Sequence, residues 1–410
     1  MNVSRKIMAL VVLAFVLRVC VRLYMGADGY FVSGYSLFFE VTQSITAGKG
    51  IGLGGEPETF RVPFYPIVLA LVTMGRKAFL SVILFQSLIG AATVWCTGYL
   101  AKTRFGGSAP VTAAAIAALY PYYVMHDTAL GETSLFTLLT VISVLLLLRA
   151  QVSGSARLAA CAGTALGVDV MTRATIAPFA AVGAIGISWL AVGSRGQRLR
   201  SAACCGLATL FVVTPWLLRT YRLTGSIVLS TETGFELWNG NNENTFSHYP
   251  NESIDRSEEA ALATLTPEEW TTKRRLGIMG EERWYANRAV SYIRQHPWLT
   301  FYRSMRKLGA AFGLLMSPRH NWFGNMAHAL SYGPVMVLGL CGMWMRRRQW
   351  REDAVIYAAF ATFIAVTAVF FGHTTHRSYL DVYWIVFATG ALDALRAKYS
   401  RDSGVIQSVR

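Results

Sequence analysis

The sequence predicts an all-α polytopic membrane protein with about ten transmembrane helices and a small, mainly helical outer subdomain. Three observations predict it. The 410 residues are 53% hydrophobic and only 15% charged, whereas soluble domains are about one quarter charged. Many windows reach the roughly 20 apolar residues that a bilayer-spanning helix needs. The 38 lysines and arginines, which leave a net charge of +15, fall between the apolar runs and not in one soluble stripe. That distribution argues against nucleic acid as a partner.

The apolar runs lie at 7–24, 78–100, 109–125, 133–149, 156–172, 174–193, 201–218, 327–345, 353–371 and 378–396. The first follows Arg5 and Lys6. Arg18 and Arg22 interrupt it and no Ala-x-Ala site precedes the next polar stretch, so it reads as an uncleaved signal-anchor. Threading from a cytoplasmic N-terminus puts Lys102/Arg104, Arg149/Arg157, Arg195/Arg198/Arg200, Arg346/Arg347/Arg348/Arg351 and the tail from Arg396 on the cytoplasmic side. Four polar regions fall outside: 26–61, 126–132, 219–325 and 373–378. The expected organisation is an N-terminal transmembrane module (1–218) whose first outer loop is 26–61, an outer subdomain with a re-entrant segment (219–326), and a C-terminal transmembrane module (327–410). In a bacterium it would sit in the cytoplasmic (inner) membrane among membrane lipids, with these regions facing the periplasm or cell exterior.

The segment 219–325 holds 11 of the 23 acidic residues and is too long for a structureless connection. Within it, 281–296 has helical periodicity, with Trp284, Ala289 and Ile293 spaced for one face, and Pro297 limits it. The stretch 307–316 is apolar but too short to span, which suits an interfacial or re-entrant segment. The stretch 62–74 is also short, and its Pro-Phe-Tyr-Pro start predicts a helix dipping in from the outer surface. All six cysteines lie in apolar runs and read as small buried hydrophobes. Gly50-Ile-Gly52-Leu-Gly54-Gly55 lacks the context of a phosphate loop and reads as a flexible outer loop.

Candidate chemistry clusters on the outer side. Asp28 and Glu40 flank Tyr35 in the first loop. Either carboxylate could act as a general base on an acceptor hydroxyl or amine; the alternatives are a helix cap for Asp28 and a solvated helix face for Glu40. Arg61, in the run Thr59-Phe-Arg-Val-Pro-Phe-Tyr65-Pro66, offers a phosphate-binding fork or lipid snorkelling. Asp169/Arg173 and Arg377/Asp381 are i, i+4 pairs at outer span ends. Ionisable groups there mark polar cavities or neutralise each other along a helix. His373 and His376 sit one turn apart without a carboxylate at ligand spacing, so no metal site is expected. Asp127 and Glu132 occupy a tight outer turn, as hydroxyl-binding acids or helix-end caps. Arg219 ends a span, and Trp238 with Asn241 suits stacking on and bonding to a sugar.

Taken in order, these residues resemble the bacterial membrane glycosyltransferases of the GT-C superfamily, of the protein O-mannosyltransferase and lipid A aminoarabinose transferase type. The matching features are the first-loop acid with Tyr35, Ala47-Gly-Lys-Gly50, Arg61-Val-Pro-Phe-Tyr-Pro66, Gly131-Glu132 and Thr172-Arg173. Pro215-Trp216 with Arg219 and Tyr221, Gly234 to Asn242, His296-Pro297 with Lys307, and Arg377 with Tyr379 complete the series. The resemblance implies an outer active site that transfers a sugar from a polyprenyl-phosphate carrier to a lipid, glycan or protein acceptor, with no nucleotide donor and no further cofactor. It implies Asp28 or Glu40 as the base and Arg61, Arg173 and Arg377 on the donor phosphate. Tyr35, Tyr65, Asp127, Glu132, Arg219, Trp238, Asn241, Lys307 and Tyr379 would then line the substrate. Two departures stand out. The usual acid lies one turn before the loop tyrosine, where this chain has Phe31, so the base stays open between Asp28 and Glu40. The last motif reads Arg377-Ser-Tyr379 without the usual proline. The alternative class is a secondary transporter or flippase for a charged lipid or glycan, which usually shows internal repeats and helices broken at mid-membrane; no repeat is visible here.

Overall fold

The computed structural model describes residues 3–31 and 36–408, and these are mainly helical. Val3–Met25 forms α1. The first long loop carries α2 (Ser36–Thr46), a hairpin of β1 (Gly52–Leu53) and β2 (Glu56–Pro57), and α3 (Phe64–Thr73). The hairpin is antiparallel, with Gly52 opposite Pro57 and Leu53 opposite Glu56. A bundle follows: α4 (Phe79–Arg104), α5 (Ala109–Leu119), α6 (Pro121–Asp127), α7 (Thr133–Ser153), α8 (Ala156–Thr172), α9 (Ala177–Leu190) and α10 (Arg195–Thr224). The subdomain comprises α11 (Thr233–Gly240), α12 (Ile254–Leu262), α13 (Pro267–Arg275), α14 (Ile278–Gln295) and α15 (Pro297–Ala311). The chain ends in α16 (Trp322–Met345), α17 (Trp350–Val369), the short α18 (Thr374–Arg377) and α19 (Asp381–Ser408).

Every expected apolar run is helical. Among the described residues, α1, α4, α7, α10, α16 and the stretch Arg347–Val369 that contains α17 are long and apolar enough to cross a membrane. The run at 109–125 is broken, because Pro121 has no N–H to donate: α5 stops at Leu119 and α6 restarts after Tyr120. Local signals explain several boundaries. Ser194 and Gln197 form a capping box that starts α10, and Gly225 ends it at φ 71°. Pro297 closes α14 and opens α15, where its missing N–H costs nothing. Helices α8 and α10 approach closely through Gly163 and Gly167, one turn apart. A Cβ on Gly163 would collide with the Cys205 carbonyl, and Thr209 donates to the Gly163 carbonyl (2.9 Å).

Hydrogen bonds sort the connections into two ends of the bundle. At one, Arg104 and Arg346 both reach Asp353 (3.5 and 2.7 Å), Gln151 donates to the Arg351 carbonyl (2.9 Å), and Ser201 to the Gly154 carbonyl (3.1 Å). At the other, termed the loop end, the first loop bonds to 230–231, Asn241 to the Val369 carbonyl, and Ser317 to His373. Connections that charge assigned to one side are thus bonded to each other. The cysteines depart from expectation: all six are free, but Cys96 and Cys205 alone among them are buried, and Cys20, Cys161 and Cys341 are exposed on the bundle surface.

Candidate active site

The described parts of the first loop are tied to the bundle by specific contacts. Arg22 donates to the Gly26 carbonyl (3.1 Å) and lies 4.6 Å from the Tyr30 ring centroid, which fixes the turn after α1. Asp28 is exposed on that turn. Tyr35 lies outside the described residues. Helix α2 is amphipathic: Phe38, Phe39, Val41 and Thr42 are buried, with Phe38 edge-on to Tyr65 (5.2 Å), while Glu40 is exposed.

The glycine-rich stretch is not the flexible loop expected from its sequence. Arg219 pins it at both ends, donating to the Ile51 and Glu58 carbonyls, each at 2.6 Å. Glu58 accepts from the Phe60 and Arg61 N–H groups (2.5 and 3.1 Å). The Thr59 and Thr231 hydroxyls lie 3.0 Å apart, and Ser230 donates to the Phe60 carbonyl (2.5 Å). Arg61 therefore hangs from a loop bonded both to α10 and to the segment entering α11. A lysine cannot reproduce the two-carbonyl fork. Arg219→Lys is expected to leave the bundle folded and to raise limited proteolysis within 49–58 several-fold.

Between the first loop and α10 lies a cavity of about 810 Å³. Glu40, Lys49 and Glu56 line it from the first loop, and Arg219 and Arg222 from α10, beside an apolar wall that includes Pro215 and Leu218. Two carboxylates, several cations and an apolar wall share one space. The arrangement can take a proton, hold an anion and cover an alkyl chain. Lys49, Glu56 and Arg222 line the cavity without being among the candidate residues read from the sequence. Lys49 lies in the Ala-Gly-Lys-Gly motif, and Arg222 is one turn beyond Arg219 on the same face, so the signal for both was present.

A second polar cluster lies deeper. Arg173 donates to Glu132 (2.6 Å) and Thr133 (3.1 Å), not to Asp169 as its spacing suggested. The reason is local: Arg173 caps α8 in extended backbone (φ −150°, ψ 111°), so helical i, i+4 geometry does not apply to its side chain. Burial raises the Glu132 carboxyl, but the Arg173 and Arg61 charges outweigh it and hold the group below its ordinary value. Burial pushes His376 well below the usual histidine range, and His373, Arg173 and Arg61 act in the same direction. Arg377 does meet Asp381, at 3.5 Å, but it is fully buried and stacked on Tyr332 (3.5 Å). Among the described residues no His, Cys, Asp or Glu group is arranged to hold a metal.

Several residues expected to line a substrate are committed to protein contacts. Asp127 pairs with buried Arg18 (2.6 Å). Tyr65 is buried, donates to Gln86 (2.7 Å) and accepts from the Gly131 N–H (3.0 Å). Tyr379 is buried and packs edge-on to Phe136 and Phe363. Trp238 is not a sugar platform but part of a small core with Ala261, Tyr285 and Ala289. Asn241 donates to the Leu237 and Val369 carbonyls and accepts from fully buried Lys307 (3.1 Å).

On α11 and α12, the Asn239 amide donates to both Glu236 (3.3 Å) and Glu258 (3.0 Å). Burial, with Glu232 beside it, pushes Glu236 up to about 7, and burial pushes Glu258 up to about 6. Both start from 4.5. From there to about 7 the folded state binds more protons than the unfolded one. Stability therefore falls as pH rises through this window and levels off above it. Glu236→Gln is expected to remove part of that slope in melting curves recorded across pH 4.5 to 8.

Comparison with known proteins agrees with this architecture. The family model for dolichyl-phosphate-mannose-protein mannosyltransferase matches residues 61–218, beginning at Arg61. No curated protein matches the chain by sequence. Two crystal structures of the Archaeoglobus fulgidus oligosaccharyltransferase resemble it. The one tethered to an acceptor peptide gives a TM-score of 0.55 at 14% identity, covering 96% of this chain and 50% of that one. The one with zinc and sulfate gives 0.53 at 12%, covering 95% and 49%. The likeness is one of fold, and this chain spans about half the length of the solved structures it matches. The family match opens at the arginine of the first loop, and along nearly its whole length the chain has a fold similar to that of an oligosaccharyltransferase.

Proposed function

We propose that the chain is a glycosyltransferase that moves a sugar from a polyprenyl-phosphate carrier to a hydroxyl or amine of a lipid, glycan or protein, at the outer face of the bacterial cytoplasmic membrane. The observation that carries the reading is the cavity in which Glu40 shares one space with Lys49, Arg219 and Arg222. Glu40, or Asp28 on the turn after α1, takes the proton of the acceptor as its oxygen or nitrogen attacks the anomeric carbon. The bond from that carbon to the phosphate oxygen breaks, and the carrier phosphate leaves with its charge. The cations of the cavity stabilise that charge as it develops. Arg61, Arg173 and Arg377 remain the sequence-derived candidates for the donor phosphate, and the charges of Arg61 and Arg173 both act on Glu132 and His376. The residues of the chain supply a base and phosphate-binding cations without a nucleotide or a further cofactor. The outward orientation rests on the charge asymmetry of the connections.

The test uses purified full-length protein in vesicles with a polyprenyl-phosphate sugar labelled in the sugar. Label is expected on the acceptor, with release of free polyprenyl phosphate. Movement of intact donor across the bilayer without cleavage would establish a transporter and overturn the proposal.

A further inference from the structure

Helix α15 is amphipathic in the opposite sense to a helix on a water-facing subdomain. Its inward face is polar. Arg303 donates to the Asn242 and Glu243 carbonyls (2.7 and 3.2 Å) and to the Tyr292 hydroxyl (2.5 Å). Ser304 donates to the Ala368 carbonyl (2.8 Å), and fully buried Lys307 to the Asn241 side chain and the Ala368 and Val369 carbonyls. Its outward face is apolar: Trp298 is 84% exposed and Phe301 61%, with Leu299, Tyr302 and Met305 also exposed. Apolar side chains of this size gain by leaving water, so water is an unfavourable neighbour for the whole stripe.

The position of the helix says what covers it. The bonds to Ala368 and Val369 set α15 beside the last turn of α17, where that span leaves the hydrocarbon. Exposed apolar residues continue along the chain through Leu314 and Leu315 to Trp322 and Phe323, 74% and 75% exposed, in the first turn of the spanning α16. Arg294, Arg306 and Arg319 are exposed nearby. Exposed tryptophan, tyrosine and arginine are the residues that anchor a helix at a membrane surface.

We propose that α15 lies in the membrane interface and inserts Trp298, Phe301, Tyr302 and Met305 among the acyl chains of the leaflet at the loop end. The ligand is bulk phospholipid. The inward polar face then ties the subdomain, through Asn241 and Asn242, to a helix anchored in lipid. The competing occupants are a second copy of the chain or another protein.

The test places the photoreactive residue p-benzoylphenylalanine at Phe301, at Trp298 and, as a water-facing control on α13, at Thr272. Full-length protein is reconstituted in phosphatidylethanolamine–phosphatidylglycerol vesicles and irradiated. About tenfold more phospholipid adduct is expected at Phe301 and Trp298 than at Thr272. Equal adduct at the three positions, or crosslinks from Phe301 to a second copy without lipid adduct, would overturn the proposal. Exchange of one aromatic ring for another at an exposed position keeps the fold, so loss of folded protein in these variants also counts against it.

Discussion

Glu40→Gln is expected to lower sugar transfer by about 10²- to 10⁴-fold, the range for loss of a positioned general base, with no change in folding. The separation is possible because of where the side chain sits. Glu40 occupies the exposed face of α2, opposite the buried Phe38, Phe39, Val41 and Thr42, so an amide of the same shape leaves the packing of the helix intact. It lines the same cavity as Arg219 and Arg222, so the substitution removes the proposed proton acceptor and leaves the cavity's cations in place. Asp28→Asn is the discriminating partner. Asp28 lies on an exposed turn at the other end of the loop and does not line that cavity. Loss with Glu40→Gln alone assigns the base to α2; loss with Asp28→Asn alone assigns it to the turn after α1. Full turnover in both variants would refute the mechanism. Initial rates at saturating donor and acceptor are the measurement, with donor binding as the control that the cations still work.

Asp127→Ala is expected to cost about 3–5 kcal/mol of stability, because it leaves a buried guanidinium uncompensated. Arg18 is completely buried. Besides its 2.6 Å pair with Asp127, it donates to the Ala14 and Ala118 carbonyls (3.1 and 3.0 Å). The pair sits directly over Gly90 of α4, where any Cβ would strike both the Asp127 carboxylate and the Arg18 guanidinium. Three elements, α1, α4 and α6, therefore meet at one ion pair. Removing both charges together is far milder: Arg18→Leu with Asp127→Leu is expected to recover most of the loss, since replacing a buried ion pair by apolar side chains is often neutral. Gly90→Ala should resemble Asp127→Ala, because the methyl group separates the charges. Melting temperature in detergent orders the variants. A double variant no more stable than Asp127→Ala would mean that the carbonyl bonds of Arg18, and not the charge pair, hold the junction.

The membrane architecture was legible because hydrophobic runs and cationic connections are long, repeated signals. The ends of α14 and α15 were legible from one proline. Side-chain destinations were harder, for reasons particular to each residue. The spacing of Asp169 and Arg173 fits a helical pair, yet Arg173 caps α8 in extended backbone and reaches Glu132 at the start of α7. Asp127 and Arg18 are 109 positions apart, and nothing local in either segment announces the other. Trp238 in a run of amides reads equally as a sugar platform or as the seed of a small core. The packing of Tyr285 and Ala289 from α14 decides for the core. Lys307 is a cation near a membrane surface by sequence, but the carbonyls left open at the end of α17 claim it. The cavity itself was half legible: Glu40 and Arg219 were candidates, while Lys49 and Arg222 entered only when the hairpin was folded against α10.

The length of α10 has a consequence for the cavity. From Arg200 to Arg219 the helix rises about 29 Å at ~1.5 Å per residue, close to the ~30 Å thickness of a bilayer's hydrocarbon core. The two arginines thus mark its two boundaries, and α10 works as a depth gauge. Because Arg219 grips the hairpin at Ile51 and Glu58, the gauge also sets the height of the loop that carries Glu40 and Lys49. A thinner bilayer tilts such a helix, and tilt moves one wall of the cavity relative to the lipid. Lipid thickness then joins the amino-acid sequence in setting how deep Glu40 and Lys49 lie.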